Sequence, residues 1–278
     1  MASKQNDRMR RAVRIVSALL VGGGLGMLAY LNGMDWYAQI VAEKHIQSFT
    51  AVYDDADDET RLEYKRQAQA YNDALAGKDT EMELLDYEDQ LFYQHEPMMS
   101  YIEIPKISVR QPIYHGTAET ELMAGVGHLQ TSSLPIGGET SHCVLLGHSG
   151  MQHMRMFDDL GKLEAGDEFA IWTLNEPYAY RVYDTETVLP EEAEEMTELI
   201  EGRDIVTLIT CTPYGVNTHR LLVHAERCPY VAEEAVDTSI DVYVTERNVP
   251  LIAALAAIGT IGAGSIVATA KHKRRKKS

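Results

Sequence analysis

The segment that most constrains the fold of this chain is 205–220, which reads IVTLITCTPYGVNTHR. Residues Ile205 to Thr210 are apolar or β-branched, and such runs are typical of a buried strand. Proline, glycine and asparagine follow within 213–217 and predict a loop. A second apolar strand begins directly afterwards, at Leu221. The pattern predicts a hairpin-like pair of strands, with reactive side chains collected at the end where the loop joins them.

Three reactive side chains stand at predicted strand ends. Cys211 ends the strand that starts at Ile205, and Arg220 precedes the next strand. His148 follows an apolar strand and a glycine in the segment CVLLGHSG at 143–150. A thiol, an imidazole and a guanidinium in these positions suit an activated nucleophile with a partner for a developing oxyanion. The residues alone therefore predict a cysteine-dependent reaction site.

The same residues carry a resemblance to a known family. TLITC at 207–211 resembles the TLxTC signature of sortases, and TPYGVNTHR at 212–220 resembles its extended form in the pilin-polymerising class C. The resemblance continues in order from about Ser100 to Tyr230, through YIEIPKI at 101–107, YHGT at 114–117, GVGHL at 125–129, SLPIGG at 133–138 and GD at 166–167. By this resemblance, the chain is identified as a class C sortase.

The resemblance implies a role for each reactive residue. Cys211 is the expected nucleophile, His148 the general acid and base, and Arg220 the group that holds charge on the substrate carbonyl oxygen or fixes the substrate backbone. Thr210 and Asn217 are weaker candidates for shaping the pocket. The other histidines considered for the acid and base role are His128, which is interpreted as structural, His142 and His219.

The implied reaction is transpeptidation. The enzyme would cleave the Thr-Gly bond of an LPxTG-like sorting signal through a thioacyl intermediate and transfer the acyl group to a lysine amine of a pilin. No metal or cofactor is expected. Attachment of surface proteins to peptidoglycan, hydrolysis by a cysteine peptidase and a catalytically silent pilus-assembly scaffold are the alternatives.

Two positions depart from the class C pattern. Ser149 stands where an arginine is common in class C relatives, and His224 stands where an arginine is frequent. These departures affect the expected substrate preference and leave the three reactive positions unchanged.

Charge is distributed unevenly along the chain. The formal net charge is -17, which argues against a nucleic-acid partner. However, residues 1–14 carry five basic residues against one acidic residue, and 271–278 carry six basic residues. A strongly acidic middle therefore lies between two basic ends.

Each basic end adjoins an apolar run without charge, at 15–31 and at 249–270. Runs of this length approach or span a hydrocarbon core of about 30 Å. The positive-inside rule places both termini in the cytoplasm and the catalytic domain outside the cell membrane. A cleaved signal peptide is the alternative for the first run, and a core helix for the second.

Many short strands separated by turn residues predict a mainly β fold, and the resemblance implies an eight-stranded sortase β-barrel with N-terminal helices and two flanking transmembrane helices. The predicted strands are Tyr101–Ile104, Val109–Ile113, Cys143–Leu146, Glu168–Trp172, Tyr178–Val188, Ile205–Thr210 and Leu221–Arg227. The predicted domains are a cytoplasmic tail (1–14), a transmembrane helix (15–31), an extracellular helical and lid region (32–98), the catalytic barrel (99–232), a linker (233–248), a second transmembrane helix (249–270) and a second cytoplasmic tail (271–278).

The region before the barrel is charged and has helical periodicity. Tyr64, Ala68, Tyr71 and Leu75 recur at helical spacing, and Gly77 predicts the end of a helix. Class C sortases commonly carry a lid with an Asp-Pro-aromatic motif in this region, and the chain has no Asp-Pro. The nearest substitutes are Asp86–Tyr87 and Phe92–Tyr93. Two interpretations of this region remain: it forms a lid that docks through Tyr87, or it is a packing segment without a gating role.

Two further expectations concern the barrel. Cys143 and Cys228 could form a disulfide outside the cell, but two separate buried thiols are favoured. Residues 191–202 are expected to form a short helix between two strands.

Overall fold

The computed structural model of the protein describes residues 2–94, 96–151, 156–193 and 195–231. Its helices are α1 (Ala2–Asp54), α2 (Asp58–Leu75) and α3 (Glu119–Ala124). Its strands are β1 (Met98–Ile104), β2 (Val109–His115), β3 (Val126–His128), β4 (Ser141–Leu146), β5 (Glu168–Thr173), β6 (Glu176–Val188), β7 (Asp204–Thr212) and β8 (His219–Arg227).

The strands form a closed barrel in the order β1-β2-β3-β4-β7-β8-β6-β5, and β5 pairs with β1 to close it. The β2–β3 and β4–β7 pairs are parallel, while the other neighbours are antiparallel. All the strands predicted from the residue pattern are present, so the mainly β prediction is confirmed. The additional strand is β3, which is too short and too rich in glycine to show a periodic pattern.

Side chains alternate between the two faces of the barrel wall, as expected for β-strands. On β7, Val206 and Leu208 belong to the main core inside the barrel. Ile209 instead joins a second apolar group on the outer wall, together with Val144 and Leu222. We call this group the outer-face cluster; its buried members are Val144, Ala193, Ile209 and Leu222, with Leu129, Leu146 and Val188 packed against them.

Helix α2 packs on the barrel as its periodicity predicts. The carboxylate of Asp57 caps its first turn by accepting from the Thr60 amide at 2.7 Å. Ala68 is fully buried, and Gly77 adopts a φ of 72° just beyond the end of the helix. Asn72 exchanges two hydrogen bonds with the backbone of Leu134, which fixes the helix to the chain between β3 and β4.

Helix α1 runs without a break through the predicted first tail and first apolar run. Among the described residues, no helix is long and apolar enough to cross a membrane. The second apolar run, 249–270, lies outside the described residues, as do the predicted linker and second tail. Both transmembrane helices therefore stay predictions.

The C-terminal part of α1 packs against the barrel. Ile46, Phe49 and Tyr53 are buried in the main core. Beside them, the guanidinium of Arg110 on β2 pairs with the carboxylate of Glu43 on α1. The end of α1 is thus an integral layer of the barrel domain.

The short helix expected at 191–202 is limited, in the described residues of that segment, to one 3-10 turn, Glu195–Thr197. Acidic residues crowd the sequence EEAEEMTELIEG at 191–202, and like charges three or four positions apart destabilise a helix. The Glu198 carbonyl accepts from His142 instead of a helical amide, at 2.8 Å.

His128 has a structural role, as its sequence setting indicated. Its Nε2 donates to the Ser133 carbonyl at 2.8 Å, and its Nδ1 accepts from the Tyr87 hydroxyl at 2.9 Å. The neutral ring satisfies both of its nitrogens with these partners, because Nε2 donates and Nδ1 accepts. Burial lowers the pKa of His128 from 6.5 to about 4.

This depressed pKa predicts a loss of stability in acid. The contribution of neutral His128 is fully present above pH 6.5 and is lost as the pH falls towards 4, because the unfolded chain binds the proton more readily in that window. We expect roughly 3 kcal/mol of unfolding free energy to be lost. Urea unfolding at pH 7.5 and pH 4.5 measures it. A His128→Gln variant should lose clearly less on acidification, and an equal loss in both proteins would contradict the prediction.

Candidate active site

Cys211 and Arg220 lie directly opposite each other in the antiparallel pairing of β7 with β8. Alternation along the strands places both on the outer wall, on the same face as Ile209 and Leu222. Cys211 is partly exposed, whereas the other two cysteines are buried. The predicted strand pair with a Cys and an Arg at its joined end is therefore confirmed.

The loop between β7 and β8 orients the arginine. The amides of Val216 and Asn217 both donate to the Pro213 carbonyl, which closes the loop on itself. Nη1 of Arg220 donates to the carbonyls of His219 and Asn217, at 3.1 and 3.4 Å. Among the described residues, no carboxylate forms an ion pair with Arg220, so its guanidinium is available to a substrate oxygen.

Asn217 contributes through its backbone. It adopts a φ of 62°, in the left-handed region that asparagine tolerates well. This conformation turns its carbonyl towards Arg220, while its own side chain is exposed. Asn217 therefore supports the arginine, and the pocket-shaping role predicted for its side chain stays a prediction.

His148 is brought to the same end of the barrel because β4 runs parallel to β7. Its loop is fastened to β7 by hydrogen bonds from both neighbours of the histidine. The Gly147 amide donates to the Ile209 carbonyl at 3.0 Å, and the Ser149 hydroxyl donates to the Cys211 carbonyl. The position of the imidazole is thus set by the strand that carries the thiol.

Thr210 completes this attachment. Its hydroxyl donates to the Gly147 carbonyl at 2.7 Å, and the residue is only 4% exposed. Alternation turns its side chain to the opposite face of β7 from Cys211. Thr210 therefore holds the histidine loop from behind.

The imidazole of His148 has a partly open environment. Its side chain is 24% exposed, and Nε2 lies 3.8 Å from Glu119 Oε1, which is beyond hydrogen-bonding distance. Nε2 has no hydrogen-bond partner among the described residues, although the atom itself is shielded from solvent. Behind the loop, the ring of Phe157 lies 2.5 Å from where a Gly147 Cβ would stand, so only glycine fits there.

Removing the Thr210 hydroxyl should displace His148. In Thr210→Val the buried Gly147 carbonyl loses its partner, at a cost of about 1–3 kcal/mol in stability. We expect kcat/KM to fall roughly 10- to 100-fold, because small displacements of a reacting group are costly. Peptide-cleavage kinetics and urea unfolding measure the two effects. Thr210→Ser retains the hydroxyl and serves as the matched control, and equal activity of the two variants would refute the positioning role.

The other candidate residues lie elsewhere. His142 is buried on the outer wall and His128 is buried beneath Tyr87, while His219 is paired in register with Thr212 beyond the Cys211–Arg220 pair. Cys143 and Cys228 are separate free thiols, as favoured from the sequence. Burial raises the pKa of the Cys143 thiol, which makes it a poor nucleophile.

The residues predicted as a lid pack on the β2–β3 side of the barrel. The Tyr87 hydroxyl accepts from the Gly116 amide at 2.9 Å, and its ring stacks on His128. Asp86 is exposed, and its carbonyl accepts from the Asp89 amide. Among the described residues, the contacts given for Tyr87 do not include Cys211, and a gating role for this segment stays a prediction.

Sequence reasoning missed the positioning roles of Gly147 and Ser149. Gly147 was identified only as the end of a strand, and Ser149 only as a departure from the class C pattern. The available signal was their placement on either side of His148. Backbone and hydroxyl groups next to a reactive residue need hydrogen-bond partners, and such partners fix the position of the loop.

Comparisons with known proteins agree with this geometry. The sortase-domain family model matches residues 102–228. The crystal structure of sortase C1 from Streptococcus agalactiae is 38% identical with a TM-score of 0.63, covering 68% of this chain and 100% of that one. A pilus-related sortase C of Group B Streptococcus is 35% identical with a TM-score of 0.60, covering 66% of this chain and 97% of that one.

Sequence comparison also finds sortase A of Streptococcus agalactiae serotype III, 28% identical over 134 residues that make up 47% of this chain and 53% of that protein. The chain thus spans a little over half the length of this curated relative. The match to sortase C1 extends over the whole of that structure. The chain therefore belongs to the sortase family of cysteine transpeptidases, and within it to class C.

Proposed function

We propose that the chain is a membrane-anchored class C sortase that cleaves LPxTG-like sorting signals and transfers the acyl group to a pilin lysine. The observation that carries the proposal is the meeting of Cys211, Arg220 and the His148 loop at one end of β4, β7 and β8. One solved relative is a pilus-related sortase C, which supports a pilin as the substrate.

In the first half-reaction, the Cys211 thiolate attacks the threonine carbonyl carbon of the sorting signal. Negative charge develops on the carbonyl oxygen, and the Arg220 guanidinium stabilises it. The carbon–nitrogen bond to glycine then breaks as His148 gives a proton to the departing amine. The product is a thioester on Cys211.

In the second half-reaction, the amine of a pilin lysine replaces the departed peptide. His148, now neutral, takes a proton from that amine as it attacks the thioester carbon. The carbon–sulfur bond breaks, an isopeptide bond forms and the Cys211 thiolate is restored. No metal or cofactor takes part in this scheme.

The apolar part of the sorting signal would lie along the outer-face cluster. The side chains of Cys211 and Arg220 lie on the same outer face of the barrel as those of Ile209 and Leu222. Ile209 is two positions before Cys211 on β7, and Leu222 is two positions after Arg220 on β8. A leucine and a proline of the signal could therefore bury apolar area on this wall while the scissile bond reaches Cys211. Burial of such side chains contributes about 25 cal/mol per Å² of apolar area.

The reaction is tested with purified full-length protein, an LPxTG peptide and a pilin subunit, followed by mass spectrometry. A Cys211 acyl-enzyme and a lysine-linked product are expected. An acyl-enzyme that only peptidoglycan amines resolve would instead establish the anchoring alternative, and one resolved only by water would indicate a peptidase. If a thiol-reactive substrate mimic leaves Cys211 unmodified in the folded protein, the chain is a silent scaffold and the proposal fails.

The membrane anchor has its own support. Helix α1 continues through the charge-free run 15–31, where Ile15, Leu19 and Leu20 are more than half exposed. The second charge-free run, 249–270, adjoins a basic tail. Protease treatment of intact cells tests the topology: the catalytic domain should be digested, and tags at both termini should be protected.

A further inference from the structure

A chain of hydrogen bonds crosses the outer wall of the barrel, on the same face as the candidate active site. His142 Nε2 lies 2.7 Å from the Thr207 hydroxyl, which lies 2.8 Å from His224 Nδ1. At one end, His142 Nδ1 lies 2.8 Å from the Glu198 carbonyl. At the other end, His224 Nε2 lies 3.0 Å from Glu186 Oε1. We call His142, Thr207 and His224 the histidine relay.

The relay is sealed from solvent. His142 is 2% exposed, Thr207 is fully buried and His224 is 6% exposed. A buried polar group without a hydrogen-bond partner lowers the stability of the folded protein. Each nitrogen and oxygen of the relay must therefore have a partner, with one proton in each hydrogen bond. The reaction scheme above uses none of these residues.

The hydrogen bonds fix the number of protons. The Glu198 carbonyl and the Glu186 carboxylate both accept, so the outer nitrogen of each histidine must carry a proton. The two nitrogens that face Thr207 are His142 Nε2 and His224 Nδ1. The Thr207 hydroxyl has one proton and donates it to one of them, so the other must donate its own proton to the Thr207 oxygen. The two rings therefore share three protons, which means that one of them is an imidazolium.

The surroundings make His142 an unfavourable site for this charge. Burial lowers the pKa of His142, and the nearby charges of His224 and Arg203 lower it further. His224 instead faces the carboxylate of Glu186, and the ring of Tyr183 stacks on it. The other charged groups close to this end of the relay are Asp184 on β6, Arg203 before β7 and Glu226 on β8. Arg203 and Glu226 neutralise each other in a two-bond ion pair.

The relay also anchors a wall of the proposed substrate groove. The Glu198 carbonyl belongs to the segment that joins β6 to β7, residues 189–203. Ala193 of the same segment packs in the outer-face cluster with Ile209, two positions before Cys211. The bond from His142 to Glu198 thus ties this segment to the wall of the barrel next to the reactive thiol.

We propose that the histidine relay is a positioning device for the substrate, and that the third proton of its two rings holds the β6–β7 segment in the conformation that binds the sorting signal. With only two protons on the rings, one of the four contacts of the relay has no proton in it. When that contact is the one at His142 Nδ1, the segment loses its bond through the Glu198 carbonyl, and KM rises. This inference rests on the proposed function.

A matched pair of variants tests the positioning role. Thr207→Val breaks the relay at its centre, whereas Thr207→Ser retains the hydroxyl. We expect Thr207→Val to raise KM for an LPxTG peptide about tenfold, with kcat within about twofold of the wild type. Thr207→Ser should restore the KM. A fall in kcat without a rise in KM, or equal KM values for the two variants, would overturn the proposal.

Glu186→Gln tests the proton count and remains informative if Thr207→Val does not fold. The amide of glutamine donates to a neutral His224 Nε2, so every bond of the relay is kept without an imidazolium. As the pH is raised, we expect KM to rise about tenfold in the wild type and to stay nearly constant in Glu186→Gln. The same rise in both proteins would overturn the role of the third proton.

Nitrogen NMR of the full-length protein with isotope-labelled histidines measures the protonation of the relay without any substrate. One imidazolium from His142 or His224 is expected in the wild type at pH 7.5, and none in Glu186→Gln. Two neutral rings in the wild type would overturn the inference. If the imidazolium is present but no peptide is cleaved by wild-type protein, the proposed function has failed and the positioning role fails with it, while the proton count stands.

Discussion

Replacing Cys211 with alanine is expected to abolish both cleavage of the sorting signal and formation of the lysine-linked product. The proposed intermediate is a thioester on this sulfur, and loss of a nucleophile of this kind lowers kcat by at least about ten-thousandfold. The residue is partly exposed, and its carbonyl keeps the bond from Ser149. We therefore expect the stability to change by no more than about 0.5 kcal/mol.

The matched control is Cys228→Ala. Cys228 is a free thiol just after β8 and is only 7% exposed, so its loss should leave peptide cleavage near the wild-type rate. Steady-state kinetics and intact-mass measurement of the acyl-enzyme compare the two variants. Substantial cleavage by folded Cys211→Ala would show that another group is the nucleophile.

Replacing Arg220 with lysine is expected to lower kcat/KM roughly 100- to 1,000-fold, although the positive charge is kept. A lysine has a single ammonium group on a flexible stem, whereas the arginine presents a planar set of donors already oriented by the carbonyls of His219 and Asn217. The substitution leaves the backbone pairing with Cys211 in place, so the variant should fold normally.

The kinetic constants also separate the two roles that the sequence leaves open for Arg220. Stabilisation of the oxyanion predicts a fall in kcat, because the interaction exists only in the transition state. Fixing the substrate backbone predicts a rise in KM. Arg181→Lys is the control, since that arginine pairs with Glu168 on an exposed part of the barrel. An Arg220→Lys enzyme as active as Arg181→Lys would exclude both roles.

The local pattern of the sequence predicted the strand pair that carries Cys211 and Arg220, because β-branched residues and turn residues mark such a pair within a few positions. It also predicted α2 and its end near Gly77. These features depend on neighbours along the chain. The barrel closure and its eighth strand came from the family resemblance, since β3 is too short to show alternation of its own.

The sequence could not show what depends on distant contacts. The restriction of the helix at 191–202 to one 3-10 turn reflects the competition of His142 for the Glu198 carbonyl, and that histidine is 56 residues away in sequence. The structural use of Thr210, on the face opposite to Cys211, depends on the position of Gly147 across the sheet. His224 was recognised only as an unusual residue, because its partners Thr207 and Glu186 lie on two other strands.

The parallel pairing of β4 with β7 has a consequence for when the enzyme becomes active. The hydrogen bond that fastens the His148 loop to the strand of Cys211 joins residues 63 positions apart, Thr210 and Gly147, with β5 and β6 between them in sequence. Long-range pairings of this kind form late, because the loop between them must first be closed. An incompletely folded chain would therefore carry a thiol whose strand is not yet fastened to the histidine loop. Acquisition of activity would report that the last strands have entered the barrel, so an immature enzyme would stay inactive.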